Sequence, residues 1–295
     1  MEKVKKRVRF SIIIPTLDRS EILERALLLL EKQIDERDEL IVVEGKNGPA
    51  MARNEAILKS RGEYLLFLND DSFVAEDLVK RHWNFHKVYK GNDKALVGLT
   101  ENHPDTVRIE AMKWLVGQSG LHFNYRFGDK NKIQRIPWYY LWTCNLSMKR
   151  KFVIENNLTF CEDFPSAAWE DIEFAFRAKR SGMKLYFDKQ ARVWHFHQLG
   201  FEELKSRFVS HGRGLYHLES KLPVNFLPFL VKTRVGRTLL KLMQMRIMNH
   251  VRNILESFVR RTNIFPNAIM QWLVIKWKSD GYEYERRRLS RMHRE

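Results

Sequence analysis

Three apolar runs alternate with two helix-patterned segments inside the first seventy residues, and that alternation leaves the chain few folds to choose from. VRFSIIIPTLDR carries a strand-like run, Phe10 to Ile14, ended by Pro15. SEILERALLLLEKQ then spaces Ile22, Ala26, Leu29 and Leu30 as a helix does. DELIVVEGKNG is a second strand closing on Glu44, PAMARNEAILKS a helix with Pro49 in its first turn, and GEYLLFLNDDS a third strand. Strand, helix, strand, helix, strand predicts an α/β fold, a mostly parallel sheet flanked by helices. Ligands of such sheets gather beyond the carboxyl ends of the strands. Those ends are polar here: Thr16 and Asp18, then Glu44, then Asp70 with Asp71. The topology therefore draws them towards one cleft.

Further along, AEDLVKRHWNFHKVYK predicts a helix and ALVGLTE a strand, while residues 101–137 show no clear period. WYYLWTCNLSMKR reads as a strand leading into the helix KFVIENN. The next helix carries Glu170 and Asp171 at its start and Gly182 as its stop. KLYFDKQARVWHFHQLG predicts a strand, a turn and a last short strand ending in His195 and His197.

Charge is unevenly spread. From Lys221 onward there are 16 Lys and Arg against 5 Asp and Glu, whereas the preceding residues hold 36 against 31. This asymmetry divides the chain into a domain over 1–220 and a basic, amphipathic helical extension over 221–295, suited to a phosphate-rich partner. The two cysteines show no CxxC spacing, which points away from a disulfide framework or a zinc site. No run approaches the ~18 apolar residues of a spanning helix, and MEKVKKRVRF lacks a signal peptide's apolar core. The expected location is cytoplasmic, extending to the cytoplasmic face of a membrane.

Each candidate residue has an ordinary reading. Asp70 and Asp71 suit a turn, Glu170 and Asp171 suit the dipole of a helix N-terminus, and Arg53 suits a solvated helix face. Their order carries more. A strand-end Asp pair, a helix-start Glu-Asp about a hundred residues later and a strand-end His follow a nucleotide-type α/β half. In SIIIPTLDR, ELIVVEGKNGPAMARNEAI, GEYLLFLNDDS, TCNLSMKRKFV, WEDIEFAFRAKRSGMKL and VWHFH, the chain resembles the inverting family 2 glycosyltransferases of GT-A fold. The matching pieces span residues 10–198 in the family's order.

The resemblance implies a nucleotide diphosphate sugar donor, UDP-sugar favoured, and a glycan or lipid-linked acceptor hydroxyl. It implies a divalent cation, Mn²⁺ or Mg²⁺, on Asp71 and His195, with His197 the less favoured alternative. Pro15, Thr16, Asp18, Glu44, Lys46, Arg53, Asp70 and Asn145 would line the donor site. Glu44 departs from the family, in which Asp is common at that strand end. Asp171 would be the general base, Glu170 its neighbour on the acceptor side, and Trp169 and Trp142 an apolar wall for a sugar ring.

Two rivals fit less of the chain. A nucleic-acid-binding protein explains the charge but leaves NDD, WED and HFH without a purpose, so no nucleic acid is expected. A nucleotidyltransferase would want a glycine-rich phosphate loop after the first strand, and PTLDRSE has no glycine. The tail interleaves bulky apolar residues with Lys232, Arg234, Arg237, Lys241, Arg246, Arg252 and Arg260, and ends in ERRRLSRMHRE, expected to be solvated or disordered. It reads either as a helical subdomain packed on the core or as amphipathic helices on an anionic membrane surface.

Overall fold

A computed structural model describes residues 8–18, 20–118, 123, 125, 132–223 and 234–292. The elements run β1 (Phe10–Thr16), α1 (Ser20–Glu31), β2 (Asp38–Glu44), α2 (Pro49–Lys59), β3 (Tyr64–Leu68), β4 (Ser72–Val74), α3 (Leu78–Val88) and β5 (Lys94–Asn102). Then come α4 (Glu110–Lys113), β6 (Gln134–Arg135), β7 (Asn145–Lys149), α5 (Arg150–Glu155), α6 (Glu170–Arg180) and β8 (Lys184–His195). Four helices follow: α7 (Phe201–Lys221), α8 (Arg234–Met243), α9 (Arg246–Thr262) and α10 (Asn267–Met292). The chain divides into two units, residues 1–103, 125–162 and 170–197 in the first, and 104–124, 163–169 and 198–295 in the second. The division at 220/221 expected from charge thus falls one helix later than the last boundary between units. α7 packs along α10 and belongs with the tail.

In the first unit the strands lie in the order β2-β1-β3-β7-β5-β8-β4, with β6 on β8. β1–β2, β1–β3 and β5–β8 pair in parallel and account for most of the pairing, and β7 runs antiparallel between β3 and β5. Alternate residues of β1 feed opposite faces. Ile13 joins Phe67, Ala56, Phe174 and Ala178 on one side, while Phe10, Ile12 and Ile14 join Leu30, Leu66 and Leu78 on the other. Pro15 does not end β1 as expected. The Thr16 carbonyl accepts from Gly45 N on the β2 side, so Pro15 faces β3, whose pairing has already stopped at Ile13. The missing N–H therefore breaks no ladder bond.

β8 replaces the expected strand, turn and strand with one strand containing a bulge. Gly98 pairs with Asp188 and Leu99 with Arg192, so residues 189–191 are looped out. The Asn145 side chain closes the loop, its Nδ2 donating to Ala191 O at 2.9 Å and Leu99 O at 3.3 Å. A Cβ at Gly98 would sit 2.1 Å from Ala191 O and 2.2 Å from Asn145 Nδ2, so only glycine fits. With Nδ2 committed, Asn145 Oδ1 must accept from His82 Nε2 at 2.9 Å. His82 Nδ1 then accepts from Ser147 Oγ at 2.7 Å, and that oxygen accepts from His86 Nε2 at 2.8 Å. Both imidazoles are neutral in this chain of bonds. Burial lowers His82 to about 4, against the pull of Asn145, and lowers His86 well below its usual value. Asn145, expected in the donor site, is fully buried, with its amide used at both ends. It belongs to this clasp.

The second unit packs Met112, Trp114, Leu204, Phe208, Leu273 and Trp277 into its own core. Gly212 and Gly281 let α7 and α10 approach backbone to backbone. A Cβ on either would lie 2.0 Å from a carbonyl, that of Lys278 or Val209. The expected disordered end is helical through Met292, anchored by buried Glu285, which holds Arg213 at 2.9 Å and His217 at 3.1 Å. Lys232 of the basic tail lies outside the described residues, as do 293–295.

Gly212→Ala will destabilise the protein by about 1–3 kcal/mol, the usual cost of overpacking, in urea unfolding. Gly117→Ala, where a Cβ meets nothing within 4 Å, will change stability by under about 0.5 kcal/mol. A second outcome concerns pH. The fold holds His82 neutral while the unfolded chain takes up a proton below about 6.5, so stability present at neutral pH is lost as pH falls towards 4. Between pH 7 and 4 the wild type will lose about 3 kcal/mol more than His82→Gln, measured by denaturant titration at each pH.

Candidate active site

The carboxyl ends of β1, β2 and β3 bring the first group of candidates together. Because β1 lies between the other two strands, Thr16 sits beside Glu44 in register, and its Oγ1 donates to Asp70 Oδ2 at 2.9 Å. Asp70 is buried, and Pro15 is buried just before Thr16. Asp18 follows in the left-handed region, φ 51°, and is exposed. Glu44 and Lys46 pair with each other at 3.1 Å on the exposed rim. A nucleoside would meet a backbone-rich floor and a polar, hydrogen-bonding rim here.

Asp71 occupies the tight link between β3 and β4. β4 pairs antiparallel with the end of β8, setting Ser72 opposite His195, and Phe196 N donates to Asp71 O at 2.7 Å. This register sends two imidazoles to one carboxylate: His195 Nε2 lies 3.1 Å from Oδ1, and His197 Nδ1 lies 3.2 Å from Oδ2. His197, the less favoured of the two from sequence, therefore engages Asp71 as His195 does. Among the described residues no group of three or more His, Cys, Asp or Glu side chains forms a metal site. A two-ligand arrangement still fits a hard cation. Neighbouring ligands of Mg²⁺ or Mn²⁺, each about 2.1 Å from the ion, stand roughly 3 Å apart, which is the Asp71–His195 separation. Phosphate and water oxygens commonly complete such shells.

The second acidic pair opens α6. Glu170 is buried and its Oε1 meets Arg53 Nη1 at 3.0 Å, with the guanidinium 5.4 Å from the Phe160 ring. Arg53 is thus no solvated helix-face charge: α2 turns it inward to its carboxylate. Asp171 is half-buried, with Oδ1 accepting from Ile172 N at 2.8 Å. The dense protein around it, then the Glu170 charge, push Asp171 up to about 7, against the pull of Arg53. The Cys144 thiol links the two acidic centres. Burial raises it to about 12, and both Asp171 and Asp71 add to the rise, so one sulfur feels both carboxylates.

The two tryptophans have other contacts. Trp142 is half-buried, its ring 4.9 Å from Tyr125 and 5.8 Å from Tyr140. Trp169 belongs to the second unit, where its Nε1 donates to His211 O at 2.9 Å. Its φ of 78° is rare for so bulky a residue and turns the chain into α6. His82, His86, Ser147 and Gly98, which hold the bulge before His195, gave no signal in the sequence because they touch no strand end.

Comparison with known proteins bears on the fold. The model of glycosyl transferase family 2 matches residues 43–155. The uncharacterized glycosyltransferase YfnE of Bacillus subtilis (strain 168) is 24% identical, over 60% of this chain and 62% of that protein. An uncharacterized glycosyltransferase of Haemophilus influenzae is 39% identical over 17% of this chain and 20% of its own length. The chain thus spans less than two thirds of either relative. Among solved structures, the mannosyltransferase PcManGT from Pyrobaculum calidifontis, in complex with GDP-Man and Mn²⁺, superposes with a TM-score of 0.56 at 12% identity, covering 95% of this chain and 87% of that one. S. aureus TarS 1-349 in complex with UDP-GlcNAc gives a TM-score of 0.53 at 15% identity, covering 93% and 89%. At such identities the likeness is one of fold. Residues 43–155 thus match the family 2 glycosyltransferase model, and the chain has the GT-A fold of these solved enzymes.

Proposed function

We propose that the protein is an inverting glycosyltransferase, moving a sugar from a nucleoside diphosphate sugar to an acceptor hydroxyl with Asp171 as general base. The observation that carries this reading is the contrast between the two carboxylates opening α6. Glu170 is paired with Arg53 at 3.0 Å, whereas Asp171 forms no ion pair among the described residues and is pushed up to about 7 by burial and by the Glu170 charge. A base poised near the working pH combines a useful ionised fraction with a useful affinity for the proton. In the step, the acceptor O–H gives its proton to Asp171 as its oxygen bonds the anomeric carbon. The bond from that carbon to the donor phosphate breaks, and the diphosphate leaves with the electron pair. One displacement inverts the anomeric centre and needs no covalent nucleophile.

Thr16, Asp70 and Glu44 would hold the nucleoside at the ends of β1, β3 and β2, where the Thr16–Asp70 hydrogen bond already fixes one wall. Asp71 and His195, with His197 on the second oxygen, would hold Mn²⁺ or Mg²⁺, which neutralises charge on the leaving diphosphate when bound. PcManGT binds a guanine nucleotide sugar and TarS a uracil one, so the fold accepts either base. UDP-sugars are the first donors to test, with a glycan or a lipid-linked acceptor supplying the hydroxyl.

Two outcomes check this reading. Calorimetric titration with UDP and GDP, each with Mn²⁺ or EDTA, will show metal-dependent binding of one nucleotide, weakened at least tenfold in Asp71→Ala. If neither nucleotide binds with metal present, the donor assignment fails. For the base, kcat/KM will rise with pH through about 7 as Asp171 loses its proton, and Asp171→Asn will lower kcat by about 10²–10⁴-fold. Glu170→Gln removes a charge that raises Asp171, so its acidic limb will move to lower pH. An unmoved limb would assign the titration to another group.

A further inference from the structure

We propose that the outward face of α9, with the end of α8, docks on an anionic lipid bilayer. α9 carries apolar residues on its outer side as well as on the side that packs inward. Its inner side carries buried Val259 and Glu256 together with ions engaged inside the second unit: Lys205 lies 2.8 Å from Glu256, Arg252 2.8 Å from Asp280, and Arg260 2.6 Å from Glu202. Its outer side carries Ile247, Ile254 and Phe258, spaced by seven and four residues into one stripe and exposed by 55%, 55% and 40%. Leu239 and Leu242 on α8 and Met245 between the helices are each nearly half exposed as well. A depression of about 490 Å³ lies along the stripe, lined by Ile254, Phe258, Asn253, Ser257, Arg261 and Thr262. Single exposed apolar residues are ordinary, but an aligned stripe marks an interaction surface.

Charge selects the occupant. Lys241, Arg246 and Arg261 are exposed in the same segment, and the only carboxylate between residues 234 and 262, Glu256, is buried. A second copy meeting this face through the same face would set cations against cations. A nucleic acid backbone would satisfy the cations but leave Ile254 and Phe258 in water. An anionic bilayer satisfies both, with the stripe in the headgroup–acyl boundary and the cations among the phosphates. No helix among the described residues is long and apolar enough to cross a membrane, so α9 would lie along the surface. This proposal is independent of the activity proposed above, since vesicle binding is read without turnover.

The test is co-sedimentation of the full chain with vesicles of phosphatidylcholine alone and of phosphatidylcholine mixed with phosphatidylglycerol. Partitioning into the mixed vesicles should exceed that into the neutral ones and fall with salt. Each cation near an anionic surface contributes about fivefold, so Arg246→Glu with Arg261→Glu should lower it more than about 25-fold. Ile254→Ser with Phe258→Ser should lower it at least about tenfold. All four positions are exposed, and circular dichroism with a thermal midpoint checks that both variants fold as the wild type does. Equal partitioning into the two vesicles overturns the proposal, and so does wild-type binding by either variant. It is equally overturned if vesicles are ignored while the chain self-associates or binds duplex DNA through these residues.

Discussion

The site strand of this protein depends on one amide. Asn145 spans from β7 to the looped-out residues of β8, and its two donated bonds hold a bulge that would otherwise slip. After the bulge, β8 is out of step with its first half, and the new register sets His195 opposite Ser72, next to Asp71. Side chains in a strand alternate faces, so the number of residues looped out decides which side chains reach the carboxylate. Gly98 leaves room for the amide, and the neutral pair His82 and His86, bridged by Ser147, fixes its orientation from beneath. Neutral, mutually bonded groups suit a fully buried position, where an unpaired charge would be far more costly.

The same economy shows at the acidic centres. Asp70 is tied to Thr16 and Glu170 to Arg53, so one member of each carboxylate pair is engaged by a neighbouring strand or helix. Asp71 meets two imidazoles through different oxygens, a geometry that holds the carboxylate in place.

Much of this was legible in the sequence. The alternation of strands and helices up to Leu68 located the sheet, and the polar ends at Thr16, Glu44 and Asp70–Asp71 located its edge. The resemblance to the family pointed to Glu170, Asp171 and His195. What escaped were features that follow from three-dimensional register. Asn145 lies within a matched motif, yet its partners are carbonyls from residues 99 and 191, which no local pattern reveals. The segment DKQA reads as a turn because Asp favours turns, but the parallel partner β5 kept both halves of the strand and turned the expected break into a bulge. Charge misplaced the boundary between units because α7 is not unusually basic and declares its unit only through the glycines that bring it against α10. The ending ERRRLSRMHRE looked solvated, and Glu285 had to be seen buried beneath Arg213 and His217 for its anchoring role to emerge.

The division of labour at the start of α6 follows from counting charges. Two adjacent carboxylates share one nearby guanidinium, and they cannot both be neutralised by it. Arg53 reaches Glu170, leaving an ion pair that is nearly neutral at a distance but presents its negative end to Asp171. Burial, the larger effect, and the Glu170 charge both favour the protonated form of Asp171 and outweigh the pull of Arg53 and of the Ile172 N–H. A carboxyl alone at a helix start would be lowered by the dipole and by local N–H groups and would make a weak base. Burial, and after it the charge of the carboxylate beside it, reverses that tendency without any change of residue type. The rare backbone angle at Trp169 fits the same picture. It falls at the residue just before Glu170, so the chain changes direction there and the first turn of α6 opens on the two carboxylates.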